Sequence, residues 1–326
     1  MKAWLLPKLG SIDALNLTDV PAPVAGDGEV VLKLDYAALN PADRYLAEGM
    51  YPARPAMPHI LGRDGLGTVE TVGPGVTNWK PGDRAVLVRS EVGVNRLGTF
   101  AERVAVPAES LTSVPSGWTD EQAAGAVLVY LTAWQALTQW EPLPAGAVVL
   151  VSGASGGVGV ATIQLARALG AVPVGLSRGP SKVDALKRLG ADLVLDPTDP
   201  AWPKKLKAHL GERRVHLVVD NIAGEGFNDL LRTLGDNGRM SLVGRLAGPV
   251  PQLNTADLFF RRIRLGGVSV GAYKPDESAA AWAEVVKALD TAGSRPQIDR
   301  VFDFADLPAA FARLAEGPLG KVLLRI

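Results

Sequence analysis

Residues 148–159, Val-Val-Leu-Val-Ser-Gly-Ala-Ser-Gly-Gly-Val-Gly, constrain the fold more than any other stretch of the chain. Val148, Val149, Leu150 and Val151 make a short, mostly β-branched apolar run, the pattern of a buried strand. Small residues follow at once, and Val158, Ala161, Ile163, Gln164, Leu165, Ala166 and Leu169 then open a helix. Strand, glycine turn and helix in that order suit a dinucleotide pyrophosphate. Small residues let the backbone come close, and the helix N-terminus offers free N–H groups and a partial positive charge. Ser155, Gly156, Gly157, Val158 and Gly159 are the expected phosphate contacts. Ala154 stands where the fingerprint usually has its first glycine, so the weight rests on the strand before, the helix after and the alternating units downstream. The competing reading is a glycine turn that serves the fold alone.

At 326 residues the chain suits two domains with sizeable cores. Lys+Arg and Asp+Glu balance at 34 each, which gives no electrostatic case for nucleic acid or an anionic membrane surface. No apolar run approaches the ~18 residues of a spanning helix. The start, Met1-Lys2-Ala3-Trp4-Leu5-Leu6-Pro7-Lys8, is broken by proline too soon for a signal peptide, and a cytoplasmic location is expected. There is no cysteine, which excludes disulfides, thiolate zinc sites, iron–sulfur clusters and a cysteine nucleophile. His59, His209 and His216 fall in no ligand-spaced cluster, and each reads as a surface or partly buried neutral residue.

To about residue 122 the chain is rich in short strand signals, at 30–36, 67–73, 83–88 and 100–106, punctuated by Pro and Gly. That rhythm predicts a partly open β-barrel. From residue 123 helical segments separate short apolar strands, expected at 148–153, 172–177, 193–195, 215–220, 239–243 and 263–270. Helices are expected near 158–169, 181–189, 203–210, 225–234 and 255–261, then at 276–291. This alternation is that of a doubly wound parallel sheet, an α/β fold. The tail, with a helix at 306–315 and a strand at 321–325, is too small for a domain and is expected to return to the first one. The boundaries predicted are 1–122 with 292–326, and 123–291.

The chain resembles the medium-chain dehydrogenase/reductase superfamily, and within it the zinc-free quinone oxidoreductase, or zeta-crystallin-like, branch. The resemblance runs end to end, through Asn40-Pro41-Ala42-Asp43, Gly49-Met50-Tyr51-Pro52 and Gly62-Arg63-Asp64-Gly65-Leu66-Gly67-Thr68-Val69. It continues in Val72-Gly73-Pro74-Gly75-Val76, Lys80-Pro81-Gly82-Asp83-Arg84, Gly98-Thr99-Phe100-Ala101-Glu102 and Leu131-Thr132-Ala133-Trp134. Past the glycine turn come Leu189-Gly190-Ala191-Asp192 and Gly320-Lys321-Val322. The resemblance implies a GroES-like catalytic domain, a Rossmann domain and a cleft between them. Zinc-dependent members place a catalytic metal on a cysteine, a histidine with a neighbouring glutamate, and a third ligand; here Asn40 stands at the cysteine and Arg63-Asp64 at the His-Glu pair. Without thiolate or imidazole a tight zinc site is not expected, and alcohol oxidation assisted by a Lewis acid is disfavoured.

In NAD enzymes of this fold a carboxylate about 20 residues past the glycine turn holds the ribose diol. Here the strand 172–176 ends in Ser177-Arg178, and no carboxylate comes before Asp184. Ser177, Arg178 and Lys182 suit a 2′-phosphate instead, so NADPH (NADP) is the expected cofactor. The plainer reading is two solvated charges at a helix start, a placement the helix dipole disfavours. One departure counts against NADPH: many NADPH-using relatives carry a tyrosine after the third strand, where this chain has Asp196-Pro197.

Hydride comes from the nicotinamide, so the protein must supply position and electrostatics. A quinone or enone accepts hydride at carbon while charge builds on its oxygen, and donors aimed at that oxygen suffice. The resemblance implies that loop 40–51 borders the nicotinamide, which makes Tyr51, Asn40 and Tyr45 the candidate catalytic residues, with Tyr51 as hydrogen-bond or proton donor. Against this, either tyrosine is packing alone. Thr132 is a nicotinamide contact by resemblance, or a residue of the hinge helix. Asn221 falls near the cofactor ribose; Gly244 and Arg245 face the nicotinamide, the substrate or the phosphate. Arg63 either attracts an anionic substrate or pairs with Asp43 or Asp64.

The expectation is therefore a zinc-independent, NADPH-dependent reductase of quinones or activated double bonds. The alternatives are an enoyl-thioester reductase and a non-catalytic NADPH-binding structural or regulatory protein. Residues 263–270 would form a sheet edge, which together with the resemblance implies a homodimer; Gly266-Gly267 allows instead a short, solvated edge.

Overall fold

The computed structural model describes residues 1–88, 91–249 and 252–326. Two units divide the chain: Met1–Leu128 with Gly271–Trp282 and Pro296–Ile326, and Val129–Val270 with Ala283–Arg295.

The first unit is mainly antiparallel sheet. Its longest strand, Glu29–Ala38, pairs with Asp64–Val72 on one side and Lys321–Arg325 on the other. Ile298–Asp303 lies outside Lys321–Arg325, while Arg84–Leu87 and Leu111–Ser113 extend the opposite flank. Arg103–Pro107 also pairs with Glu29–Ala38, and a smaller sheet joins Asn16–Asp19, Lys2–Leu6 and His59–Ile60. The C-terminal strand thus completes the sheet begun near residue 29, with Leu323 opposite Ala38 and Arg325 opposite Tyr36. One core lies around Leu32, Leu34, Val69, Leu87 and Val104, a second around Leu39, Leu46, Leu61, Phe100 and Leu324. Phe100 is fully buried and packs edge-on against Phe311; its backbone bonds Leu61 and Trp4 at 2.9 and 2.8 Å, and the strand expected at 100–106 begins only at Arg103. Helix α1 (Pro41–Ala47) starts from Asn40, whose extended backbone and the fixed φ of Pro41 suit a helix start. Helix α2 (Asp120–Thr138) crosses the division between the units.

The second unit carries six parallel strands: β1 (Val148–Val151), β2 (Val172–Leu176), β3 (Leu193–Leu195), β4 (Val215–Asp220), β5 (Leu234–Leu242) and β6 (Arg264–Gly267). Their order across the sheet is β3-β2-β1-β4-β5-β6, so the chain reverses direction of growth beside β1. That reversal is where open α/β sheets bind ligands, beyond the carboxyl ends of the strands. All four residues of β1 are fully buried, as a central strand covered on both faces requires. β5 begins five residues before the expected 239, and β6 is four residues rather than eight. Helix α3 (Gly157–Ala168) follows β1 and buries Val160, Ala161, Ile163, Leu165 and Ala166.

The rest of the second unit's core gathers Val174, Leu176, Trp202, Leu206, Val218, Phe227, Leu231 and Met240. Each large side chain among these contributes roughly 1.5–3 kcal/mol on leaving water. The architecture is a Rossmann sheet joined to a GroES-like, mainly antiparallel sheet. Among the described residues no helix is long and apolar enough to cross a membrane.

Candidate cofactor and active-site residues

The turn after β1 brings the expected phosphate contacts together. α3 begins at Gly156, whose backbone is extended, and no side chain caps it. Its first N–H groups are therefore left for a ligand or water. Val158 lies in that first turn. A Cβ on Gly159 would sit 2.3 Å from the Gly153 carbonyl oxygen, so only glycine lets helix and turn pack this closely. Ala154 fits in place of a glycine because its N–H bonds the Leu176 carbonyl at 2.9 Å and its methyl faces Gly175, which has no side chain to oppose it.

At the end of β2 Ser177 is buried, and among the described residues its hydroxyl has no partner. Lys182 reaches back across 27 positions to the Ser155 hydroxyl at 3.4 Å, so a cation stands over the glycine turn. Arg178 is exposed beside it. Asp196 accepts from the Gly179 N–H at 3.1 Å and from the Thr198 N–H and hydroxyl at 2.9 and 2.7 Å. Those bonds, and Arg178 nearby, lower its pKa. It thereby pins the loop that carries Arg178.

At the end of β4 a lock not evident from the sequence fixes Asn221. Ser152 donates to buried Asp220 at 2.6 Å and accepts from the Asn221 N–H at 2.9 Å, while the Asn221 amide donates to the Ser152 carbonyl at 2.8 Å. The remaining amide oxygen of Asn221 is buried without a donor among the described residues. Two orphaned buried oxygens, an uncapped helix and a cation at one end of a parallel sheet fit a nicotinamide dinucleotide. Gly244 and Arg245 follow β5 in an exposed turn closed by the bond from the Gly248 N–H to the Arg245 carbonyl at 2.9 Å. Thr132 lies partly buried in α2.

In the first unit the candidate catalytic residues meet a set of buried charges. Lys321, only 4% exposed, donates from Nζ to Asn40 Oδ1 at 2.7 Å, Asp64 Oδ2 at 3.1 Å and the Leu39 carbonyl at 3.0 Å. The Asn40 amide also donates to Asp64 at 3.0 Å. Asn40 is thus engaged on both side-chain atoms, and Asp64 is held further by the Leu128 N–H at 3.1 Å. Of the two partners weighed for Arg63, the structure selects Asp43. Arg63 Nε stands 3.4 Å from Asp43 Oδ1, Arg63 is 4% exposed, and Asp64 is taken by Lys321.

Asp43 accepts from the Asn40 N–H at 2.8 Å, but burial outweighs that bond and the guanidinium, and its pKa is pushed up to about 6. The remaining guanidinium nitrogens donate to the Ala42 carbonyl at 3.2 Å and the Tyr51 hydroxyl at 3.1 Å. Arg63 also lies 4.4 Å from the centre of the Tyr51 ring. Tyr45 is half-buried on α1. Sequence spacing gave no sign of Lys321 in this group, since it lies 257 positions from Asp64.

Two family models match the chain, the alcohol dehydrogenase GroES-like domain over residues 26–116 and zinc-binding dehydrogenase over 157–291. A quinone oxidoreductase of Mus musculus is 31% identical over 280 residues, covering 85% of this chain and 82% of that protein. The chain belongs to the medium-chain dehydrogenase/reductase superfamily, in its quinone oxidoreductase branch. A superfamily relative from Sus scrofa, also a quinone oxidoreductase, is 28% identical over 327 residues, 99% of this chain and 97% of that one. Among solved structures, a mycobacterial protein complexed with NADPH superposes with a TM-score of 0.90 at 31% identity, covering 100% of both chains. In this member of the superfamily the described residues contain no group of three His, Asp or Glu side chains placed to hold a metal ion.

Proposed function

We propose that this chain is an NADPH-dependent oxidoreductase that reduces quinones or the activated double bond of α,β-unsaturated carbonyl compounds without a catalytic metal. NADPH binding and oxidoreductase activity are supported by quinone oxidoreductase relatives and by the NADPH complex of a 31% identical neighbour. The observation that carries the acceptor class is the Lys321 ammonium seated on Asn40 Oδ1 and Asp64 Oδ2. Asn40 stands where the zinc-dependent pattern has its cysteine ligand and Asp64 beside the place of its histidine, and here a side-chain cation already satisfies both oxygens. The chain must therefore stabilise charge on substrate oxygen with its own hydrogen-bond donors, which suffices for a quinone or enone.

In this reading residues 123–291 hold the cofactor, which supplies a hydride when bound. Ser155, Gly156, Gly157, Val158 and Gly159 cradle its pyrophosphate, and Ser177, Arg178 and Lys182 receive the 2′-phosphate. Asn221 presents its free oxygen to a ribose hydroxyl, and Thr132, Gly244 and Arg245 border the nicotinamide end. Residues 1–122 and 292–326 handle substrate. Tyr51 donates to the substrate oxygen, Asn40 orders the loop that carries it, and Tyr45 lines that loop.

Arg63 is buried on Asp43, which removes the argument that it draws in an anionic thioester. The enoyl-thioester reading thereby loses its particular support. We further propose a homodimer across the β6 edge, where Phe259 and Phe260 are 62% and 79% exposed. The molecule's zero net charge gives no reason to expect nucleic acid as a partner.

The test is NADPH and NADH consumption by chelator-treated protein with a benzoquinone, an enal and an enoyl thioester in parallel. Faster turnover with NADPH, unchanged by the chelator and greatest with the quinone or enal, is expected. Loss of activity on chelation, or NADH winning, overturns the metal or cofactor assignment. Tight NADPH binding without turnover on any acceptor would favour the non-catalytic binder.

A further inference from the structure

Arg63 has no acceptor atom, so its contact with the Tyr51 hydroxyl can run in one direction only: the guanidinium donates and the phenol oxygen accepts, at 3.1 Å. The guanidinium has little freedom to do otherwise. Nε faces Asp43 at 3.4 Å, the second terminal nitrogen is bound to the Ala42 carbonyl at 3.2 Å, and the side chain is 3% exposed. The Tyr51 proton must then point away from Arg63. Among the described residues no group accepts it. Tyr51 is also held at its carbonyl by Arg54.

We propose that Arg63 is a positioning residue that fixes Tyr51 as a one-way proton donor. Because the phenol oxygen is already occupied as an acceptor, its proton is presented outward to the oxygen of the acceptor substrate. This rests on the reading of Tyr51 as donor given above. A bound reduced nicotinamide would supply the hydride that forms a C–H bond on the substrate, the displaced electron pair moving to the substrate oxygen. The Tyr51 O–H bond breaks and its proton joins that oxygen. The phenolate left behind faces the Arg63 cation, which stabilises it until water returns a proton. The charged groups around this pair are Arg63, Asp43 and Arg54, with Asp64 and Lys321 acting on Asp43.

Four full-length variants test this: Y51F, R63K, R63Q and D43N/R63Q, the last removing both buried charges together so that no unpaired carboxylate confounds folding. The readout is the split between kcat and KM with a benzoquinone. In D43N/R63Q kcat is expected to fall about tenfold with KM little changed, and R63K to restore most of it. Wild-type kcat in D43N/R63Q, while Y51F loses on the order of a hundredfold in kcat, overturns the role of Arg63 and leaves the Tyr51 donor standing. Wild-type kcat in Y51F overturns both.

Discussion

The ammonium of Lys321 donates to the amide oxygen of Asn40 at 2.7 Å, joining residues 281 positions apart. The contact ties the C-terminal strand to the start of α1 and leaves Asp64, 2% exposed, with a full positive charge at 3.1 Å. A carboxylate so buried is tolerable only with such a partner. The same contact settles the Asn40 amide with its oxygen toward Lys321 and its nitrogen toward Asp64.

Replacing Lys321 with Met removes the ammonium and leaves a buried carboxylate facing an apolar side chain. The expected cost is about 3–5 kcal/mol, the usual result of breaking one side of a buried pair. D64N/K321M should recover much of that loss. Urea unfolding of the three proteins checks it; K321M within about 0.5 kcal/mol of the parent would show that the ammonium does not hold this region together.

Asp43 supplies a pH dependence of definite sign. Its carboxyl is raised by burial from 3.8 to about 6 in the folded protein. Between those values the folded protein binds a proton that the unfolded chain has released, so stability falls as pH rises from about 4 to 6 and is flat in this group above that. The change is on the order of 2–3 kcal/mol. D43N should lack it, so the stability difference between parent and D43N should shrink by that amount across the interval. Chemical denaturation at pH 4, 5, 6 and 7 measures it, and parallel curves would refute the shift.

The two halves differ in how far their residues announced themselves. Around the glycine turn the signals are local: Val148–Val151 can only be a buried strand, and Ser177 and Lys182 lie within 27 positions of Ser155. Parallel strands each bury both faces, so their apolar runs stand out one by one. The charge group of the first unit has no such signature. Lys321 reads as a strand residue and Asp64 as one end of another, and only the sheet register sets them side by side. The Ser152–Asp220–Asn221 lock is hidden for the same reason, since β1 and β4 are neighbours in space but 68 positions apart. β6 falls short of its expected length because the chain turns into a short 3-10 helix at Val270–Ala272, although Gly266 and Gly267 themselves pair with β5.

Lys182→Ala and Arg178→Ala should weaken NADPH and leave NADH almost unchanged. Lys182 already stands at the glycine turn, 3.4 Å from Ser155, and a charge-assisted bond to phosphate is worth tenfold to a hundredfold in affinity. Arg178 is exposed, so a few-fold loss is expected of it. Fluorescence titration with both nucleotides decides the matter. Equal loss for NADH and NADPH would place these cations away from the 2′-phosphate.

Gly159→Ala tests the turn itself. Its new methyl would lie 2.3 Å from the Gly153 carbonyl oxygen and 2.7 Å from Ala154, both backbone, so neither can rotate aside. The first turn of α3 must shift, and its N–H groups with it. NADPH affinity should fall at least tenfold, with thermal stability also reduced. Unchanged affinity by titration would mean that these N–H groups do not hold the pyrophosphate.

Phe260→Asp addresses assembly. Phe259 and Phe260 stand exposed with ring centres 4.4 Å apart, just before β6, whose outer edge has no pairing strand among the described residues. An open strand edge beside two exposed aromatic rings is the kind of surface that a symmetric copy covers, because each protomer then satisfies the other's edge and buries its apolar neighbours. A carboxylate at residue 260 would have to be desolvated in that contact, and it meets its own symmetry mate wherever the two-fold axis passes close by. The parent protein should sediment as a dimer at micromolar concentration and F260D as a monomer, with unchanged far-ultraviolet circular dichroism. The side chain is exposed, so the substitution has little reason to disturb the fold. A monomeric parent would refute the dimer, and a dimeric F260D would move the interface away from this edge.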